Sequence, residues 1–149
     1  MERVFGIIPA SSGPYIFTWV LSLFLVAVIA LFVFISYSSR HTNFTVSDAG
    51  LNIGPGVYGR FIPREDIDAG GVKVLNLNED AGYKPKWRTN GAGLPGYSAG
   101  WFKLQNKEKA LLFVTDRSSV VYIPTRKNYA VMLSVRDADE MAEVIRQWR

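Results

Sequence analysis

The sequence predicts a membrane-spanning α-helix followed by a mainly-β domain that one short amphipathic helix closes. Three observations carry this reading. Residues 15–39 contain no side chain that is charged at neutral pH. After them, short apolar runs recur between Gly, Pro, Asn and Asp turn signals, the pattern of an all-β domain. The last dozen residues then change from a period of two to a period near 3.6.

The apolar core runs from Tyr15 to Tyr37. At about 1.5 Å of rise per residue a helix there is roughly 34 Å long, against a hydrocarbon layer of about 30 Å. A core helix of a globular domain keeps a polar face, and this run is apolar all round. A signal-peptide apolar region is about 7–15 residues long behind a basic start; this run is longer, and only Arg3 beside Glu2 precedes it. The predicted organisation is a flank at 1–13, a transmembrane helix at 14–38 and a domain at 42–149. Tyr15 and Tyr37 fall where the two membrane interfaces should lie, with Arg40 and His41 just beyond. Arg3 and Arg40 balance the two flanks, so the positive-inside rule assigns no side to the domain. Ala27 and Ala30 stand three apart among large residues, which gives no small-residue stripe for tight helix pairing.

The net charge is +4, and from Ser38 onward 16 Lys and Arg stand against 12 Asp and Glu, which leaves the whole excess on the domain side. Beside anionic lipid each such basic group is worth about 1 kcal/mol. Cysteine is absent and His41 is the single histidine, which excludes thiolate zinc sites, cysteine nucleophiles and multi-histidine metal sites. No metal, no cofactor and no nucleic-acid partner are expected.

Phe44–Val46 reads as the first strand, and Leu51 and Ile53 alternate before the turn Gly54-Pro55-Gly56. Val57–Ile62 is a further strand, ended by Pro63, and Val72, Val74 and Leu75 mark another. Gly100–Leu104 and Ala110–Val114 read as a hairpin; Val120–Ile123 and the alternating Tyr129, Val131, Leu133 and Val135 extend it to a four-stranded meander. Asp137 with Glu140 three residues later has the form of a capping box. Met141, Val144, Ile145 and Trp148 then form one apolar stripe, with Arg146 and Arg149 at the negative helix end.

About seven strands capped by one helix on this length of chain resemble the pleckstrin-homology-like (PH-like) barrel. Four segments carry the resemblance to bacterial PH-like domains of small membrane proteins: Leu51–Pro63 with Asp66-Ile67, the glycine-rich Arg88–Phe102, Lys109–Asp116 and Val120–Thr125. The resemblance implies an antiparallel β-barrel with a C-terminal helix, held at a bacterial cell membrane. Eukaryotic relatives often bind phosphoinositides through basic residues in the first strand loop; the corresponding loop here, Asn52–Val57, has no basic side chain, and Arg60 lies beyond it.

The most unusual stretch is Gly82–Gly100. Lys84, Lys86 and Arg88 alternate and share one face if extended, with Tyr83, Trp87 and Tyr97 interleaved. Gly91, Gly93 and Gly96 permit positive φ and a nest of N–H groups for an anion. Two readings stand side by side: a surface loop binding lipid headgroups, glycan or a partner peptide through Lys84, Lys86, Trp87, Arg88 and Tyr97, or glycines serving turns and a bulge beside a solvated basic face. Gly91-x-Gly93-x-x-Gly96 is no dinucleotide motif, because no strand leads into it and no helix follows. Glu65, Asp66, Asp68, Glu79 and Asp80 lack calcium-loop spacing and read as turn residues. The expected function is a non-catalytic, membrane-anchored binding or scaffolding module that engages a protein or peptide at the bilayer. Anionic lipid or anion binding by the basic glycine-rich loop is the alternative.

Overall fold

A computed structural model of the chain describes residues 3, 5–9, 11–40 and 42–148. It divides into two units, Met1–His41 and Thr42–Arg149. The first contains helix α1, Gly13–Arg40. Its stretch Gly13–Tyr37 is long and apolar enough to cross a membrane. Exposed apolar side chains run around it, from Leu21 at 45% to Trp19 at 77%. The Thr18 hydroxyl donates to the Pro14 carbonyl at 2.8 Å, so this polar group is satisfied within the helix.

The second unit holds two sheets. Strands β1 (Phe44–Ser47), β2 (Gly50–Ile53) and β3 (Arg60–Pro63) form an antiparallel sheet in sequence order. Strands β4 (Lys73–Leu75), β5 (Pro85–Leu94), β6 (Tyr97–Leu104), β7 (Lys109–Val114), β8 (Val120–Pro124) and β9 (Ala130–Leu133) form the larger sheet, ordered β4-β8-β9-β7-β6-β5. Helix α2, Ala138–Arg146, follows.

The predicted order, an apolar helix, a β-domain and a C-terminal helix, is therefore present, with the strand arrangement corrected in three respects. Nine strands occur among the described residues rather than about seven. They form two sheets and not a closed barrel. The four-stranded meander is also broken: β9 inserts between β7 and β8, parallel to β7 and antiparallel to β8.

The reason lies in burial. Strands β7, β8 and β9 are apolar at consecutive positions, and both of their faces are covered. Leu111, Phe113, Val121, Ile123, Val131 and Leu133 pack with Leu51, Ile53 and Ile62 of the small sheet and with Ala138, Ala142 and Ile145 of α2. Leu112, Val114, Val120, Tyr122 and Met132 face the other way, against Leu75, Leu77, Phe102, Leu104 and Tyr83. A sheet with two apolar faces needs two covering layers and so does not roll around a single core.

Helix α2 departs from its predicted capping. Asp137 occupies the N-cap position without a side-chain cap hydrogen bond. The buried face is Ala138, Ala142 and Ile145; Met141 and Trp148 are half-buried, and Val144 is 39% exposed. Small alanines let the helix lie close on the sheet, which turns the predicted stripe by part of a turn.

A basic cleft beside strand β5

Most of the glycine-rich segment expected to be a loop is strand. Residues Pro85–Leu94 form β5, an edge strand paired among the described residues with β6 alone, and β5 and β6 make a long hairpin with two register shifts, between Pro85 and Trp87 and between Arg88 and Asn90. The glycines explain this. Gly96 has φ +74° in the hairpin turn, and Gly100 has φ +111° opposite Gly91. A Cβ on Gly91 would collide with the Ala99 carbonyl oxygen, so the two strands approach where side chains are missing.

This geometry divides the five predicted site residues. Arg88 is in register with Phe102, and both line an open cleft of about 480 Å³ together with Lys86, Gly93, Leu94, Pro95, Ser98 and Arg117. Trp87, 63% exposed, is in register with Lys103 instead. Tyr97 packs against the cluster shared with α2, and burial together with the nearby Tyr58 raises its phenol pKa above the ordinary value. Lys84 precedes β5, and its ammonium donates to the Asn78 carbonyl at 3.0 Å. So Lys86 and Arg88 are brought together, while Lys84, Trp87 and Tyr97 lie outside the cleft lining.

Arg117 is the residue that reading along the chain missed, since it comes from the turn between β7 and β8. That turn is tightly held. The Ser134 hydroxyl accepts from the Thr115 and Asp116 amides, both at 3.2 Å, and donates to the Asp116 carbonyl at 2.7 Å. The Leu77 amide donates to the Arg117 carbonyl at 2.7 Å. The Asp116 carboxylate accepts from the Ser118 hydroxyl and amide, and these bonds lower its pKa. Asp116 is thus engaged within its own turn and does not pair with Arg117.

Among the described residues no carboxylate lines the cleft. The ion pairs among the described residues are Lys127 with Asp66 and Arg146 with Glu143, neither of them at this site. Ser98 is 6% exposed, and its hydroxyl has no hydrogen-bond partner among the described residues.

Of the predicted interface residues, Tyr15 and Tyr37 lie near the two ends of α1 and are 65% and 62% exposed. Arg40 ends α1; its side chain, and His41 altogether, lie outside the described residues.

Strand order, two packed sheets and a closing helix bear on kinship, as does a family model. A model for the bacterial PH domain matches residues 42–148. The chain belongs to this family. No curated protein and no solved structure matches it. PH-like domains are in general non-catalytic binding modules. Among the described residues no group of three or more His, Cys, Asp or Glu side chains is placed to hold a metal ion.

Proposed function

We propose that this protein is a single-pass membrane-anchored PH-domain module that engages a protein or peptide partner at the bilayer surface and performs no catalysis. Strand β5 carries the reading: it is ten residues long, none of them buried, and it lies at the edge of the larger sheet. The outer side of such a strand offers unpaired N–H and C=O groups to an added strand. The apolar α1 supports the anchor, and confinement by an anchor raises the effective concentration of the domain toward any partner on the same membrane. The test is a photo-crosslinking amino acid placed at Trp87 on β5 or at Val57 in the β2–β3 loop, both exposed, in the full chain in intact cells. A defined adduct at position 87 and none at 57 is expected; the same adduct pattern at both positions overturns partner engagement through β5.

Anion or anionic-lipid binding is the second reading, and the carboxylate-free cleft at Lys86, Arg88 and Arg117 favours it. Charge reversal at Lys86 and Arg88 should then abolish the response of the full chain to anionic lipid, whereas reversal at Lys84 should leave it intact.

A further inference from the structure

We propose that the cleft between the β5–β6 hairpin and the β7–β8 turn is a binding site for a phosphate monoester, held by Lys86, Arg88, Arg117 and the Ser98 hydroxyl. This rests on the second of the two readings above and names its ligand chemistry and its residues. It is a different place from the first strand loop, which lies on the smaller sheet and has no basic side chain at residues 52–57.

Four observations meet at this point. Three cationic side chains line one cleft with no carboxylate among them, although the domain has twelve acidic residues to place. None of the three makes an ion pair among the described residues, so their charge is available. Arg88 runs along its own strand: a Cβ on Gly93 would lie 3.9 Å from its Nη1 and 3.7 Å from the Phe102 ring. Glycine at 93 places no side-chain atom beside this guanidinium, where a Cβ would make ordinary contact. Ser98 is the fourth. Its hydroxyl makes no hydrogen bond among the described residues and is reached by solvent, so it is a free donor at the cleft wall.

The charge and donor set select the ligand. A carboxylate brings one negative charge and two acceptor oxygens. A phosphate monoester brings about −1.5 to −2 at neutral pH and three acceptor oxygens, which matches two guanidinium forks, an ammonium and a hydroxyl donor. Lysine contributes as a point charge and the arginines as paired donors. Lys86 and Arg88 are legible along the chain by their alternation. Arg117 and Ser98 join them only through the β6–β7 register, which sets Ser98 opposite Val114 at the start of the Arg117 turn.

The test uses the full chain in uncharged detergent micelles, followed by amide and arginine Nε–H NMR signals. Inorganic phosphate should give saturable shifts at residues 93–98 and at the Arg88 and Arg117 side chains, with acetate at least about tenfold weaker. Arg88→Ala and Arg117→Ala should each weaken phosphate at least about tenfold, Arg117→Lys and Ser98→Ala about three- to tenfold, with the remaining spectrum unchanged. Dihexanoyl phosphatidic acid identifies the source. Affinity at least about tenfold above that of inorganic phosphate marks a lipid headgroup, and equal affinity marks a soluble phosphate. Anionic lipid that shifts the spectrum equally in wild type, Arg88→Ala and Arg117→Ala overturns this site and the cleft-based anion reading together. Saturable shifts with phosphatidylserine that Arg88→Ala and Arg117→Ala weaken, with none from phosphate or phosphatidic acid, overturn the phosphate monoester alone. The absence of any saturable shift with phosphate, phosphatidic acid and phosphatidylserine overturns both.

Discussion

Gly100 holds φ +111°, and a Cβ there would lie 2.5 Å from the Asn90 carbonyl oxygen and 3.1 Å from the Tyr58 ring. Gly100→Ala therefore combines a backbone conformation that side chains avoid with a clash against β5. A loss of about 1–3 kcal/mol is expected in chemical denaturation, with exchange protection lost first in the β5–β6 hairpin. Asp116 acts through charge instead. Its folded pKa lies below the ordinary 3.8, because Ser118 donates two hydrogen bonds to the ionised carboxylate. A group with a lowered folded pKa stabilises the fold fully above its unfolded value and loses that contribution as pH falls through the folded value. Asp116→Asn retains an acceptor for Ser118 and has no charge to lose. Wild type should consequently lose more stability than Asp116→Asn between about pH 6 and about pH 3, as read from denaturation midpoints. Equal losses would remove the carboxylate as the element that shapes the turn presenting Arg117. Tyr122 shows the opposite case on the far face of the sheet. Its phenol donates to both Glu108 carboxylate oxygens at 2.8 and 2.9 Å, and its pKa is raised first by burial and then by this bond.

At the scale of elements, the central strands are held by two apolar layers, and neighbouring leucines report on each. Leu111 and Leu112 are both fully buried, Leu111 in the layer shared with α2 and Leu112 in the layer with Leu77 and Tyr83. Truncation of either to Ala should cost about 2–5 kcal/mol in denaturation experiments. A much smaller cost at Leu112 would show that the second layer is only a loose satellite. The same two-sidedness explains what the sequence made legible. The apolar anchor, the hairpin signal before Ala110 and the period change after Asp137 are local, and each corresponds to a described element. The position of β9 between β7 and β8 is not local. Ala110–Val114, Val120–Ile123 and Ala130–Leu133 are apolar at consecutive positions, so alternation cannot tell which neighbour each strand takes. The glycines of β5 misled in the other direction, because glycine clusters that signal a loop also permit two strands to approach where no Cβ intervenes. For the cleft, Lys86 and Arg88 were legible as alternating cations. Arg117 and Ser98 were not, being 29 and 10 positions further along the chain than Arg88 and joined to it only by pairing.

For the whole molecule, the proposed function depends on α1 holding the PH domain at a bilayer. Helix α1 has no Asp, Glu, Lys or Arg from Gly13 to Tyr37, and Tyr15 and Tyr37 are separated by about 33 Å of helix at 1.5 Å per residue. That separation matches the hydrocarbon thickness, and the proposed anchoring sets both phenols at interfacial depth. The apolar side chains around it are exposed among the described residues of their own unit, and under the proposed anchoring lipid is the environment that removes them from water. The full chain should accordingly sediment with membranes and leave them only with detergent, not with salt or alkaline carbonate. Leu25→Arg with Val26→Arg places two charges at the middle of the span, at about 2.5–3.5 kcal/mol each on an insertion scale. This variant should shift to the soluble fraction at full length, while the domain, a separate unit with its own core, keeps its exchange-protected amides. Wild-type chain recovered uncleaved without detergent would remove the anchor from the mechanism, and with it the gain in effective concentration on which binding by this module depends.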